Sequence, residues 1–218
     1  MAEVELTKFK KLRFYLAWPA AILCFLAAKP TAVGFWVGVP ITAIGEAFRI
    51  WSQGCIEKGT RLATSGPYAY LRNPLYFSNF LIGLGFVVML SNLWIFLLYL
   101  TGFFILYRGT IFDEEKFLAS RYGAQFQKYC EKVPRFIPTL KPYPKSEEQP
   151  FEWKLVWRHG ESITFLAITL LFFVLYGRRV WFGSISGFYA DHTQFVWLTA
   201  ASACLLLISV FYRKFKSA

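Results

Sequence analysis

The stretch "LYFSNFLIGLGFVVMLSNLWIFLLYLTGFFILY", Leu75 to Tyr107, carries no charged residue. Only Ser91-Asn92 interrupts it, and that pair reads as a tight hairpin between two apolar helices. Each half is shorter than the roughly 20 residues that a spanning helix needs, so either alone fits a buried soluble core. Together they leave too little polar sequence to cover them. The pair therefore predicts two neighbouring membrane helices.

The rest of the chain agrees. Of 218 residues, 56% are hydrophobic, 20% aromatic and only 17% charged, too apolar for an ordinary soluble domain. Six apolar runs stand out: Phe14–Ala28, Ala32–Trp51, Leu75–Leu90, Leu93–Tyr107, Ile163–Tyr176 and Phe195–Tyr212. The expected fold is all-α, a multi-pass membrane bundle of five to six spans with a cytoplasm-facing pocket. The basic start followed by an apolar run, without a clear cleavage site before Lys29, reads as a retained first helix. With the N-terminus inside and six alternating spans, 21 Lys and Arg lie on the cytoplasmic side and three outside. That asymmetry is the positive-inside pattern, and it leaves both termini cytoplasmic. The net charge of +11 thus points to an anionic lipid surface rather than to nucleic acid. Arg178-Arg179 falls on the outer side, so the last two runs also fit a shallow interfacial hairpin.

Cys24, Cys55, Cys130 and Cys204 form no CxxC pair, and His159 and His192 fall on opposite sides of this topology. No metal site is expected. GxSxG, HExxH, P-loop and GxGxxG motifs are absent.

The polar chemistry gathers at the inner ends of the runs. In Arg72-Asn73-Pro74-Leu75-Tyr76, Asn73 suits a side-chain N-cap and Pro74 the first helical position. Exposed N–H groups at such a helix start also favour an anionic ligand group. Asp113-Glu114-Glu115 reads as a solvated acidic first turn or as carboxylates facing a cationic ligand. A zwitterionic cofactor with a positive centre would satisfy both clusters. Glu46 and Arg49, three apart, can meet on one helix face, either neutralising each other or lining a polar cavity. Asp113 to Glu131 reads as an amphipathic helix with Leu118, Tyr122, Phe126 and Tyr129 on one face. Pro134 and Pro138 end it. "KPYPKSEEQP" is a linker, and "FEWKLVWRHGE" a juxtamembrane helix with Trp153 and Trp157 near the headgroups.

"GEAFRIWSQGCIEKGTRLATSGPYAYLRNPLYFSNFLIGLGF" (Gly45–Phe86) and "DEEKFLASRYGAQFQKYCEKVPRFIP" (Asp113–Pro138) resemble the isoprenylcysteine carboxyl methyltransferase family, part of a wider group with membrane phospholipid methyltransferases. The resemblance rests on the Gly66-x-Tyr68 turn, the Arg72-x-Pro74-x-Tyr76 helix start, the Glu114-Glu115 pair, and the Tyr122-Gly123 to Val133-Pro134-Arg135 close. It implies a single domain over 1–218. Residues 45–138 would form the cofactor-binding core, 139–152 a linker and 153–218 the C-terminal helices. It also implies dependence on S-adenosyl-L-methionine and a lipidic or prenylated acceptor arriving from the bilayer. The implied cofactor contacts are Gln53, Thr60, Arg61, Leu62, Ala63, Tyr68, Asn73, Pro74, Leu75, Tyr76 and Glu114. Glu115 is a close second to Glu114, and Arg108 is implied for an anionic group of the substrate; Glu46, Glu114 and Glu115 are the nearest acidic candidates should the acceptor have to lose a proton. A carboxylate acceptor is already ionised and needs no general base, whereas an amine or phenol would need one. The family usually has His at the position of Asn73, and Thr110 stands where the eukaryotic prenylcysteine enzymes carry an arginine near the substrate. Two competing classes are a membrane NADPH-dependent sterol-type reductase and a non-catalytic membrane protein.

Overall fold

The computed structural model describes residues 30–56, 61–144 and 150–182. The apolar runs Phe14–Ala28 and Phe195–Tyr212 lie outside the described residues, as do Thr60, Cys24, His192 and Cys204. Among the described residues every regular element is helical. These are α1 (Ala32–Gly54), a 3-10 turn (Gly66–Ala69), α2 (Pro74–Met89), α3 (Leu93–Lys132), α4 (Trp153–Arg158) and α5 (Glu161–Phe182).

The hairpin between α2 and α3 forms at Ser91-Asn92. Ser91 takes a positive φ of 51°. The Asn92 side chain accepts hydrogen bonds from the N–H groups of Trp94 (3.0 Å) and Ile95 (3.2 Å), capping α3. Thr31 caps α1 in the same way, accepting from the Gly34 N–H at 3.0 Å. The Thr31 and Ser91 hydroxyls share a 2.8 Å hydrogen bond, which pins the start of α1 to the hairpin.

One expected boundary is absent. The run Leu93–Tyr107 continues without a break into the first half of the segment Asp113–Glu131, within an element of 40 residues, and the amphipathic helix expected over Asp113–Glu131 is itself interrupted. No proline falls between them, so the hydrogen-bond ladder propagates through Arg108–Phe112. The break sits instead at Gly123, whose φ of 47° and ψ of −124° are non-helical. At about 1.5 Å per residue the unbroken part of α3, residues 93–122, is roughly 45 Å long, more than an apolar bilayer core of about 30 Å, so α3 must project beyond one. Its projecting end carries the expected amphipathic face: Phe126 and Tyr129 are buried, with Leu118 and Tyr122 packed beside them.

Two apolar cores result. One joins Phe35, Phe86, Met89, Ile95, Leu175 and Tyr176 from α1, α2, α3 and α5 around the hairpin end. The other joins Leu62, Ala69, Phe126, Tyr129, Val133 and Tyr143 at the opposite, polar end. The outward face of α3 (Leu93, Trp94, Leu97, Leu98, Ile105) and that of α5 (Ile163, Leu166, Leu170) are exposed and apolar, as lipid-facing surfaces are. Among the described residues α1 and α3 are long and apolar enough to cross a membrane. α2 and the Glu161–Gly177 part of α5 are shorter apolar helices.

α1 and α2 lie against each other through small residues. Gly34 and Gly38 are four apart on α1, and Gly38 faces Gly85 of α2 backbone to backbone. This is how helices pack when lipid is the solvent: small residues let the backbones approach closely.

At the polar end the connecting segments tie to one another through their backbones. Arg72 N–H donates to the Pro134 carbonyl (2.9 Å), Thr139 N–H to Tyr70 (2.9 Å) and Tyr143 N–H to Ala69 (3.0 Å). The buried Tyr129 hydroxyl donates to the Tyr68 carbonyl at 2.6 Å. Tyr129→Phe leaves that buried carbonyl without this donor, and a loss of about 1–2 kcal/mol is expected. Thermal unfolding of the purified variant in detergent measures it; an unchanged midpoint would show that the carbonyl finds another donor.

Candidate functional site

The segments tied together at the polar end carry the charges. Gly66 takes a left-handed φ of 55° to open the 3-10 turn, and a Cβ there would meet Cys55. The chain then passes through Tyr68 and Arg72 into Pro74, which stands at the first position of α2 as expected.

Asn73 holds the N-cap position of α2, but its side chain makes no capping bond. The expected local cap is thus absent. Its amide donates instead to Glu115 Oε1 (3.0 Å) and to the Arg135 carbonyl (3.0 Å). Glu115 is buried, and three more donors reach it. Arg135 Nη2 lies 2.8 Å and Arg135 Nε 3.0 Å from Oε2, with Arg72 Nη1 at 3.4 Å. The Glu115 hydrogen bonds hold the Arg135 guanidinium above its already high ordinary pKa. Arg72 Nη1 also donates to Cys130 Sγ at 2.8 Å. Beside this cluster, exposed Glu114 accepts from the Tyr76 hydroxyl at 2.8 Å. The two polar clusters of the sequence therefore meet, through Asn73–Glu115 and Tyr76–Glu114.

A second charged group crosses from α1 to α5. Arg49 Nε donates to Glu161 Oε2 at 2.8 Å, and Gln53 Nε2 to Glu161 Oε1 at 2.8 Å. Arg49 Nη1 also donates to Asn79 Oδ1. The expected Glu46–Arg49 pair does not form, because the buried Glu161 competes for the guanidinium with better geometry. Both oxygens of Glu46 are buried without a hydrogen-bond partner among the described residues.

Gln53 Oε1, the Tyr68 hydroxyl and Arg72 Nε are also buried without a hydrogen-bond partner among the described residues. Burial pushes the Tyr68 phenol well above its ordinary pKa, so it stays protonated and able to donate.

The other candidates distribute as follows. Leu62 is buried in the polar-end core, Ala63 is half-buried and Arg61 exposed. Pro74 is fully buried, and Leu75 is half-buried with its carbonyl accepting from Ser78 at 2.8 Å. Arg108 is exposed on α3. Sequence reasoning missed Glu161, Asn79 and the pairing role of Arg135. Glu161 had a signal, a lone carboxylate opening an apolar run just after Arg158. Asn79 had a weaker one, a polar amide inside a charge-free stretch. Among the described residues no three His, Cys, Asp or Glu side chains gather as a metal-ligating set.

Fold and site together define a helical membrane protein whose helix ends converge on buried charge at one end of the bundle. The phospholipid methyltransferase family matches over residues 22–125. Among curated proteins, the chain is 35% identical over 109 residues to the cobalt-zinc-cadmium resistance protein CzcN of Cupriavidus metallidurans, covering 49% of each. It is 28% identical over 150 residues to the nickel-cobalt-cadmium resistance protein NccN of Alcaligenes xylosoxydans xylosoxydans, covering 67% of this chain and 68% of that one. It is also 28% identical over 140 residues to the protein-S-isoprenylcysteine O-methyltransferase of Schizosaccharomyces pombe, covering 61% of this chain and 59% of that one. The chain spans about half the length of the first of these relatives (49%). The chain is thus similar, over part of its length, to the phospholipid methyltransferase family and to an isoprenylcysteine O-methyltransferase.

Proposed function

We propose that the protein is an S-adenosyl-L-methionine-dependent methyltransferase of the membrane, acting on a lipidic or prenylated acceptor that enters from the bilayer. In this reading the chain crosses five to six times, both termini are cytoplasmic, and the cofactor pocket opens at the polar end. The observation that carries it is the meeting of the α2 entry with the acidic turn of α3: Asn73 on Glu115 and Tyr76 on Glu114. The family match and the yeast relative's named activity support the chemistry.

The residues present fit the cofactor. A zwitterion with a sulfonium, an ammonium and ribose hydroxyls needs acceptors and a few donors. Gln53 Oε1 and the Tyr68 hydroxyl are buried and unpartnered, one an acceptor and the other a donor. Glu114, exposed and held by the Tyr76 hydroxyl, offers a carboxylate for a cationic group. Gln53, Tyr68, Tyr76 and Glu114 would hold the cofactor, with Arg61 to Ala63 at its rim. When bound, it supplies an electrophilic methyl group. This chain's residues then orient the two partners and exclude water. Glu115 is already engaged by Asn73, Arg72 and Arg135, and so positions the α2 entry rather than exchanging protons.

Calorimetric titration with S-adenosylmethionine, with NADPH in parallel, tests this reading. Binding of the sulfonium cofactor alone is expected. Binding of NADPH alone would sink the methyltransferase and promote the reductase. Glu114→Ala is expected to weaken S-adenosylmethionine binding by at least about tenfold, the worth of one charge-assisted hydrogen bond. Its unfolding midpoint should barely move, because Glu114 is exposed. Unchanged affinity would remove Glu114 from the pocket.

A further inference from the structure

Between α1 and α5 lies a cavity of about 280 Å³. Val39, Ala43, Ile50, Phe165 and Phe172 make its wall apolar, and Glu46 places a carboxylate in it. Glu46 is 6% exposed, and neither of its oxygens has a hydrogen-bond partner among the described residues. An isolated buried carboxylate is costly, and native structures seldom leave one without a donor. The nearest cation does not relieve it. Arg49, one turn along α1, is committed to Glu161 Oε2 at 2.8 Å and to Asn79. Among the described residues Glu46 and Glu161 together outnumber that single guanidinium, so the polar end of the cavity is rich in hydrogen-bond acceptors.

We infer that this cavity takes an apolar chain whose head is a hydrogen-bond donor, an amine or a hydroxyl, with Glu46 accepting from that head. As an acceptor site this rests on the methyltransferase reading; as a binding site it does not. The same geometry discriminates against a carboxylate head. A second anion beside Glu46 would be repelled and desolvated together with it. The cavity wall supplies the affinity, through apolar area removed from solvent, and Glu46 supplies the choice of head.

The test uses the full chain in lipid nanodiscs and three probes of equal length: dodecylamine, dodecanol and dodecanoate, each with a diazirine at the chain end. Photolabelled positions are mapped by peptide mass spectrometry. Labelling of the outer face of α3, around Leu97 and Leu98, reports partition into the bilayer and normalises the three. The amine is expected to label the Val39–Ile50 and Phe165–Phe173 peptides at least about tenfold more than dodecanoate, with dodecanol also ahead of it. Glu46→Gln should erase the preference for amine over carboxylate, since the amide is neutral and offers a donor. Ala43→Phe should block all three by filling the cavity. Equal labelling by the three probes, a preference for dodecanoate, or a preference that survives Glu46→Gln would overturn the inference. If Glu46→Gln does not fold, the wild-type ranking still decides. Titration of S-adenosylmethionine on the same sample separates the two proposals. Cofactor binding with an unlabelled cavity overturns this inference alone. Cavity labelling by the amine without cofactor binding upholds the site and sinks the methyl-transfer reading.

Discussion

Glu115→Ala is expected to unfold the polar end of the protein, lowering stability by about 3 kcal/mol. Glu115 is 7% exposed and receives the Asn73 amide, the Arg135 guanidinium and, at 3.4 Å, that of Arg72. Removing the carboxylate leaves three donor side chains, from the Arg72-Asn73 segment and from Arg135, without their common acceptor. Arg72 is the costliest of these, because its side chain is only 14% exposed. Arg135 is half-exposed at 53% and can turn to water, which holds the loss at the lower end of the range for a broken buried pair. Glu115→Gln keeps an acceptor for Asn73 while removing the charge, and should lose about half as much. Thermal unfolding of both variants in detergent, with S-adenosylmethionine titration in parallel, reads the effect. The alanine variant should lose stability and cofactor binding together. A variant that unfolds at the wild-type temperature yet cannot bind would show that Glu115 acts on the ligand directly.

Gly85→Val is expected to be similarly damaging, about 3 kcal/mol, the upper end of the overpacking range. A Cβ at Gly85 would lie 2.5 Å from the Gly38 carbonyl oxygen and 2.7 Å from the Thr42 nitrogen. Both are backbone atoms of α1, and neither can rotate away as a side chain would. The two helices must separate, and the contact that sets α1 against α2 is lost along its length. Gly102→Ala is the matched control. Nothing lies within 4 Å of a Cβ there, so the change should be neutral or slightly stabilising through helix propensity. Equal midpoints for Gly85→Val and Gly102→Ala would show that the close approach of α1 and α2 contributes little.

Much of the fold was legible in the residues because it depends on neighbours in the chain. The charge-free stretch with Ser91-Asn92 at its centre reads as a hairpin, and Asn92 caps the following helix through its own side chain. Pro74 marks a helix start for a reason carried by one residue, its missing N–H. Leu118, Tyr122, Phe126 and Tyr129 stand out by their spacing, and they share one cluster although the helix breaks at Gly123 between them. What the spacing could not tell was that Arg108–Phe112 would continue the helix, since a change in polarity is not a break in the hydrogen-bond ladder.

The site was legible by residue type and not by pairing. Asn73, Tyr76, Glu114 and Glu115 stand out as polar groups at the edges of apolar runs, and they do come together. Yet the sequence offered Asn73 a local cap worth about 1 kcal/mol. A buried, charge-assisted bond to Glu115 contributes about 1.5–3 kcal/mol, and it wins. For the same reason Arg49 leaves Glu46, three residues away, for Glu161, which is 112 residues away. Sequence alone determined which groups are polar, which faces are apolar and where the chain turns, because each is a property of adjacent residues. Only the tertiary structure decided which carboxylate Arg49, Arg72 and Arg135 take, and that Glu46 is buried without a partner among the described residues. That choice depends on distances across the bundle, and in a low-dielectric interior those distances outweigh local preference.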